Sequence, residues 1–472
     1  MLIRGTIYLM LSQVVFLLCG YGVHIFLARE FGPTMYGNFG VIISIIVWFE
    51  LAVIRGIPTA VQNFIAKDQK NAFAIKKFFF YIQLLIATIL FIILLVSSPL
   101  IANLLNDGAL TDFIRIAAFD LIIYAIYALY VSVQNGLREF KKQAIIISCY
   151  SLFRGLSIIL LVKLGFALKG ALIGNMIGSF AGMVIGISFC KLEKKKPKTL
   201  NKKGFVQFVI PTTLFFLVVN LLYNIDLWYV KAYLLKEAAG YYTSAQNLAK
   251  VPLFFFFALS FTLLPLLAKA IEERNYEKAV TYISQSVRIL ALVLLPVILL
   301  VNATSEPLIE MLYSEKYMPS VSILNILIIA FSFLAFYISM ATVLIAKNEP
   351  SIPFIITFCL VLFDIILNSR LIPLWGTVGA AVSTTFTACV GAVIIGFWVF
   401  KDYRVDFKIM SLVKIITASL VVFAVSNLYS TRGEWLIANY ILLLSVYIGL
   451  LIFFREISRE ELLSARRLLL KH

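Results

Sequence analysis

Nine charged residues stand inside, or in the case of Arg29 at the outer end of, stretches that are otherwise apolar. They are the cations Arg29, Arg55, Arg154, Lys250 and Arg288 and the acids Glu50, Asp120, Asp226 and Asp364. A charge at the centre of a bilayer costs about 2.5–3.5 kcal/mol on insertion scales, so such a group faces a partner, a ligand or a wet cavity. Arg154, Lys250, Glu50 and Asp364 lie too deep in their stretches to reach water along their own helix. Their alternatives are ion pairing between helices, Arg154 with Glu50 and Lys250 with Asp364, or contact with a ligand. Arg55 and Arg288 lie closer to an interface, where a long side chain can extend its head to water. Asp120 and Asp226 sit near outer ends, where solvation or pairing with Arg115 and Lys231 would satisfy them. Glu50 and Arg55 are five residues apart, about 140° around a helix, so they do not pair with each other.

Other chemistry is excluded. No GxxxxGK[ST] run is present, which removes a P-loop and ATP hydrolysis. His24 and His472 are the only histidines, so HExxH and His-rich metal sites are impossible. Cys19, Cys149, Cys190, Cys359 and Cys389 show no CxxC spacing and read as small hydrophobes. No DxD-type acidic pair stands in a cytoplasmic loop to hold a metal and a nucleotide sugar. No cofactor is expected, and no enzymatic activity.

The elements that must position these charges are membrane spans. The chain is 62% hydrophobic and 14% charged over 472 residues, against about 45–50% and about 25% in soluble domains. Apolar runs of roughly 20 residues recur. They lie near 6–28, 38–60, 78–102, 113–134, 144–163, 170–190, 205–230, 240–265, 282–303, 320–345, 352–372, 377–399, 409–429 and 435–454. Backbone amides in lipid must pair within their own segment, and "LIATILFIILLV" (84–95) shows no strand alternation, so the spans are helices. The expected fold is an all-α integral membrane protein of about fourteen transmembrane helices. The first run follows Arg4 like a signal peptide but is too long for one and has no small-x-small cleavage site, so it reads as an uncleaved helix.

The net charge of +17 distributes by topology. With a cytoplasmic N-terminus, 27 of the 41 Lys and Arg fall on inside segments, including "KLEKKKPKTLNKK" (191–203), and nine on outside ones. This bias places both termini in the cytoplasm and accounts for the basic charge without nucleic acid.

The basic run 191–203 divides the chain into two halves that read as weak copies. "FLAREFGPTMYGNFG" (26–40) matches "VKAYLLKEAAGYYTSA" (230–245), with Gly37 over Gly240. "KLGFALKGALIGNMIGSF" (163–180) matches "IPLWGTVGAAVSTTFTAC" (372–389), with Gly170 over Gly379. Six spans separate the copies, so they are parallel repeats about an axis along the membrane normal. The expected organisation is a six-helix bundle over 1–190, a cytoplasmic linker at 191–203, a second bundle over 204–400, and two extra helices with a basic tail over 401–472. Prolines 58, 211, 252, 265, 296 and 353 are candidate kinks.

The turns "LAREFGPTMYGNFG", "AGYYTSAQ" and "LIPLWGTVGAAVST" resemble the polysaccharide-biosynthesis branch of the multidrug/oligosaccharidyl-lipid/polysaccharide exporters, nearest to Wzx-type O-antigen flippases. The resemblance covers nearly the whole chain. It implies two pseudo-symmetric bundles around a central cavity in the bacterial inner membrane. It implies transport of undecaprenyl-pyrophosphate-linked oligosaccharide to the periplasmic leaflet, driven by a proton or sodium gradient and feeding polysaccharide polymerase machinery. Drug-exporting relatives generally have twelve helices. An embedded polymerase or ligase would carry a larger outside loop than "NATSEPLIEMLYSEKYMPS" (302–320).

On that implication the cations suit the pyrophosphate. Arg154 and Lys250 would hold it, one from each half, with Arg29, Arg55 and Arg288 as further contacts. Glu50 and Asp364, with Asp120 and Asp226, would couple the ion. Tyr21, Asn38, Asn220, Tyr223, Asn224, Tyr241, Tyr242, Gln246 and Asn247 would offer rings and hydrogen bonds to sugar.

Overall fold

The computed structural model describes residues 2–190, 192, 205–347, 349–404, 409–428 and 431–457, the side chains of 2–4, 6, 205–212 and 255–265 aside. The linker at 191–203 and the distal tail therefore fall, Leu192 excepted, outside the described residues. Among the described residues every long element is a helix. Contacts group the chain into two units, 1–243 and 244–472.

In the first unit the helices are α1 (Leu2–Ile54), α2 (Ile57–Lys67), α3 (Ala72–Leu104), α4 (Leu110–Ala118), α5 (Asp120–Gly136), α6 (Phe140–Leu161), α7 (Ala167–Phe189) and α8 (Phe205–Tyr233). Helix α9 (Ala238–Ala249) carries the boundary. The second unit holds α10 (Val251–Glu272), α11 (Tyr276–Tyr313), α12 (Ser320–Ala346), α13 (Ser351–Tyr403), α14 (Ile409–Leu428) and α15 (Trp435–Phe453).

Ten helical stretches among the described residues are long and apolar enough to cross a membrane, against about fourteen expected spans. Three of the four missing spans arise where two expected spans run together, and the fourth, 240–265, falls on α9 and α10, where the side chains of 255–265 lie outside the described residues. The 53 residues of α1 would reach about 80 Å if straight, far more than a ~30 Å hydrocarbon layer needs. Instead α1 turns at Gly32, whose φ is 68°. Beyond the turn His24 Nδ1 lies 3.1 Å from the Tyr36 hydroxyl, whereas twelve residues of straight helix span about 18 Å. The chain has doubled back. Helices α6 and α7 form a second hairpin at Gly165 (φ 90°), and α13 a third at Gly376 (φ 60°). A positive φ costs glycine little, and a side chain there would strain the reversal. The sharp reversals lie at glycines, while helices break just before Pro58 and Pro252. Pro58 and Pro252 open α2 and α10, where a missing N–H is harmless, and Pro296 lies within the continuous α11.

The second of the two repeat matches is visible here: both motifs form the turn and returning arm of a hairpin. In the first, Gly170, Gly174, Gly178, Gly182 and Gly186 recur every four residues along α7. A Cβ at Gly174 would stand 2.6 Å from the Ile158 nitrogen, and one at Gly178 would stand 2.9 Å from the Arg154 Cα. This small-residue stripe lets α7 pack backbone to backbone against α6, which fixes the height and rotation of Arg154.

Ile57, Val61, Ile65, Ile75, Phe79 and Val133 form a core among α2, α3 and α5. In the second unit α14 and α15 pack on α11 through Ile415, Val422, Leu443 and Tyr447. The Tyr447 hydroxyl donates to the Leu292 carbonyl at 2.8 Å.

Candidate functional site

Four places collect the polar groups that the sequence singles out, two of them in each unit's interior. In the first unit Glu50 near the end of α1, Asp120 at the start of α5 and Arg154 midway along α6 come within electrostatic range of one another. Glu50 and Asp120 are 7% and 1% exposed, which rules out solvation as the means of holding them. Asn175 on α7 donates its Nδ2 to Asp120 Oδ2 at 2.5 Å. Asp120 Oδ1 and Arg154 Nε are buried with no hydrogen-bond partner. Tyr127 and Tyr150 stack at 4.8 Å beside the cluster, with Tyr124 tilted against both. Two carboxylates thus lie within electrostatic range of one guanidinium, whose charge offsets theirs.

The outer-end partners expected for Asp120 and Asp226 are corrected. Arg115 pairs instead with exposed Asp112 at 3.5 Å, and Lys231 with Asp107 at 2.8 Å. Asp226 is fully buried, accepting from the Tyr242 hydroxyl and from the Leu227 N–H at 2.7 Å. The reason is helix rotation. Asp226 and Lys231 are five residues apart on α8, and that spacing turns them to different neighbours.

Lys231 is an unanticipated site. Its side chain is 2% exposed, and its ammonium also donates to Asn38 Oδ1 at 2.7 Å. Asn106 Nδ2 donates to the Ala232 carbonyl at 2.7 Å. Together these contacts bolt α8 to the loop after α3 and to the second arm of α1. Close approach of Gly37 to the Gly240 nitrogen joins the same region to α9.

Arg55 sits in a break. The Arg55 N–H bonds the Leu51 carbonyl, the ladder resumes from Ala60 N–H to the Gly56 carbonyl, and Pro58 has no N–H for the Ile54 carbonyl. The guanidinium lies 4.2 Å from the centre of the Phe216 ring, a cation–π contact. Tyr124 and Tyr223 are close by, and Arg55 Nε is buried without a hydrogen-bond partner. Gln83 on α3, 1% exposed, satisfies the break by donating Nε2 to the Val53 carbonyl at 3.2 Å and to Ala125 at 3.1 Å. Sequence reasoning missed Gln83. Its signal was present: a lone amide within the run "FFFYIQLLIATILFIILLV" (78–96) must find partners in lipid.

In the second unit Lys250 also sits in a break, between α9 and α10, two residues before Pro252. Its ammonium donates to Gln246 Oε1 at 2.9 Å and stands 5.8 Å from the Phe331 ring centre. The other interior site is Asp364 on the first arm of α13, fully buried. Ser383 Oγ donates to Asp364 Oδ1 at 2.8 Å, and Thr387 Oγ1 to the same atom at 3.2 Å, both from the returning arm. Asn368, one turn on, is fully buried and donates Nδ2 to the Asp364 carbonyl at 2.9 Å, while its Oδ1 is buried with no hydrogen-bond partner. Carboxylate, amide and hydroxyl oxygens thus converge in one dry place, a donor set that suits a proton or a hard monovalent cation.

Arg288 keeps 30% of its side chain exposed. It pairs with Glu456 at 2.8 Å, and Ser411 joins the same carboxylate, which ties α11 to α14 and to the segment after α15. Arg29 is exposed, three residues before the Gly32 turn. Of the residues proposed for sugar, Asn38, Tyr242 and Gln246 make the internal contacts given above. Asn224 Nδ2 bonds the Asn220 side chain at 3.2 Å. The cysteines are free, four of them partly buried and Cys359 exposed. No group of three His, Cys, Asp or Glu among the described residues could hold a metal ion.

Comparison with known proteins adds the family. The family described as "Polysaccharide biosynthesis protein" matches residues 26–322. Among solved structures, the chain is similar to the lipid II flippase MurJ in an inward closed conformation. The TM-score is 0.76 at 19% identity, covering 96% of this chain and 99% of that one. An inward-facing multidrug resistance MATE family transporter of the MOP superfamily gives 0.68 at 16% identity, over 82% and 94%. A MOP superfamily transporter from Pyrococcus furiosus gives 0.63 at 15%, over 85% and 95%. At these identities the likeness is one of fold. An uncharacterized membrane protein of Methanocaldococcus jannaschii is 28% identical over 153 residues, 32% of this chain, and the match spans 30% of that relative's length.

Proposed function

The chain belongs to the polysaccharide biosynthesis protein family, and from that premise we propose that it is a flippase for lipid-linked oligosaccharide. It moves undecaprenyl-pyrophosphate-linked repeat units from the cytoplasmic to the periplasmic leaflet of the bacterial inner membrane by alternating access. The fold shared with a lipid II flippase supports this reading. The observation that carries it is the placing of Arg55 and Lys250, each in its own unit, at a break in a membrane helix. A helix that starts inside the membrane exposes unbonded N–H groups and the positive end of its dipole. A guanidinium or ammonium at that point adds a full charge. Both features favour a pyrophosphate, which lipid cannot solvate. A drug exporter of organic cations would be repelled by the same arrangement.

Roles divide accordingly. Arg55 and Lys250 bind the pyrophosphate. Arg154 serves as the counter-charge of Glu50 and Asp120, and Arg288 as that of Glu456. Exposed Arg29 meets the anion at the outer side. Asp364, with Asn368, Ser383 and Thr387, takes up the coupling proton or sodium ion.

The test is flipping of a fluorescent lipid-linked oligosaccharide in proteoliposomes. Each of Arg55→Gln and Lys250→Gln is expected to lower the initial rate about 10- to 100-fold, the worth of one charge-assisted hydrogen bond. Reconstituted amount should be unchanged. Wild-type rates in both variants would overturn the reading.

A further inference from the structure

The first unit contains a cavity of 540 Å³ bounded by the second arm of α1, the C-terminal end of α3 and the last turns of α8. Its walls are mostly apolar, with Ile45, Phe49, Ile101, Leu105, Leu221 and Ile225 among them. Trp48 and Trp228 both face it, yet each indole N–H is spent inside the protein, on the Leu217 carbonyl at 3.2 Å and on Ser44 Oγ at 2.7 Å. A water molecule would find almost nothing to bond, so the cavity does not hold water stably.

The cavity cannot collapse either. The three elements that line it are the three bolted together by Lys231, Asp107, Asn38 and the Asn106 contact to Ala232. Ala232, the smallest residue of the lining, lies at the bolt itself. An empty apolar space leaves its walls without dispersion partners, and rigid walls cannot recover them by moving inward.

Its mouth faces lipid. Leu104 and Tyr233 line it and are 68% and 57% exposed. They close two helices, α3 and α8, so the mouth lies near a membrane surface rather than at mid-depth. Three residues beyond Tyr233 stands exposed Lys236, a cation at the height of lipid headgroups.

We propose that this cavity is a lipid site in which one acyl chain of a membrane phospholipid lies between α1, α3 and α8, its phosphate near Lys236. Phospholipid is the solvent at the mouth, and mass action fills the site without high intrinsic affinity. The bound chain completes the packing that the bolt leaves open and holds α8 against α1 and α3. The site is independent of the transported substrate.

Two measurements on the purified full-length chain test it. In detergent stripped of lipid, added phosphatidylglycerol is expected to raise the unfolding temperature by about 3 °C or more. Ala232→Phe, which fills the cavity with protein, should abolish most of that response. Leu104→Trp, which plugs the mouth, does the same by a milder route should the first variant fail to fold. Val393→Phe, on an exposed apolar face of the second unit, should respond like wild type. Phosphatidylglycerol bearing a diazirine on its acyl chain should label the peptides containing Trp48 and Tyr229, and label neither in the filled variant. Undiminished labelling and lipid response in both filled variants would overturn the proposal. So would loss of labelling to equimolar polyprenyl phosphate but not to unlabelled phospholipid, which would assign the cavity to a carrier chain. A flipping defect without loss of these signals bears on the function and leaves the lipid site standing.

Discussion

The acid-bearing interiors of the two units solve the same problem differently. In the first, Glu50 and Asp120 face a guanidinium that never loses its charge, Arg154. In the second, Asp364 accepts from the Ser383 and Thr387 hydroxyls of the returning arm, one turn from the Asn368 amide. A permanent counter-charge nearby favours a carboxylate's ionised form and opposes the cost of its burial. Neutral dipoles steady a carboxylate yet leave room for a mobile cation to complete it. Burial alone therefore does not distinguish a coupling acid from a structural one, since all three are nearly inaccessible. On the proposed function the partners divide them, a guanidinium nearby in one unit and hydroxyls in the other.

That contrast breaks most readily at Arg154. Arg154→Gln strips two buried carboxylates of their shared counter-charge, a loss of about 3–5 kcal/mol. Membrane yield and unfolding temperature are expected to fall sharply, and Glu50→Gln in the same chain should restore part of both. An Arg154→Gln variant with normal yield and no flipping would move Arg154 to the substrate.

The Lys231–Asp107 pair sharpens the comparison, because it is a buried ion pair with no proposed transport role. Lys231→Met or Asp107→Asn alone should cost up to about 3 kcal/mol, at the lower edge for a buried pair, since Asp107 keeps some exposure. The double replacement should recover much of that loss, as read by thermal unfolding. Equal losses in single and double variants would show that the pair is not coupled.

The smallest effect on stability, and the most specific on function, is expected at Asp364. Asparagine keeps an oxygen for Ser383 and Thr387, so Asp364→Asn should unfold within about 1 kcal/mol of wild type. Its flipping rate should lose the stimulation given by a proton or sodium gradient and fall to the gradient-free level. Full stimulation in Asp364→Asn would return coupling to the first unit.

Much of this was legible in the sequence because it is local. The apolar runs, the depth of Arg154, Lys250, Glu50 and Asp364, and the paired turn motifs at Gly170 and Gly379 all emerge from short windows. Arg154 beside Glu50 was one of two alternatives there, and the fold adds Asp120 to the same neighbourhood. Asp226 and Lys231 were misjudged for one reason. A position near the end of an apolar run suggests water, but whether a side chain meets water depends on which helix covers it. Gln83 escaped notice because its partners, the Val53 and Ala125 carbonyls, lie on two other helices. Arg288 was placed by its distance from an interface, while its actual partner, Glu456, is 168 residues away.

The sequence by itself determined that this chain lives in a bilayer as helices, since transfer free energy sums along each run and the backbone must satisfy itself within the run. It also determined which charges had to be accounted for. Only the tertiary structure decided how. In a medium without water a charge takes the partner that packing brings within a few ångströms, and that partner is set by helix rotation and by contacts between distant spans. Hydropathy carries neither.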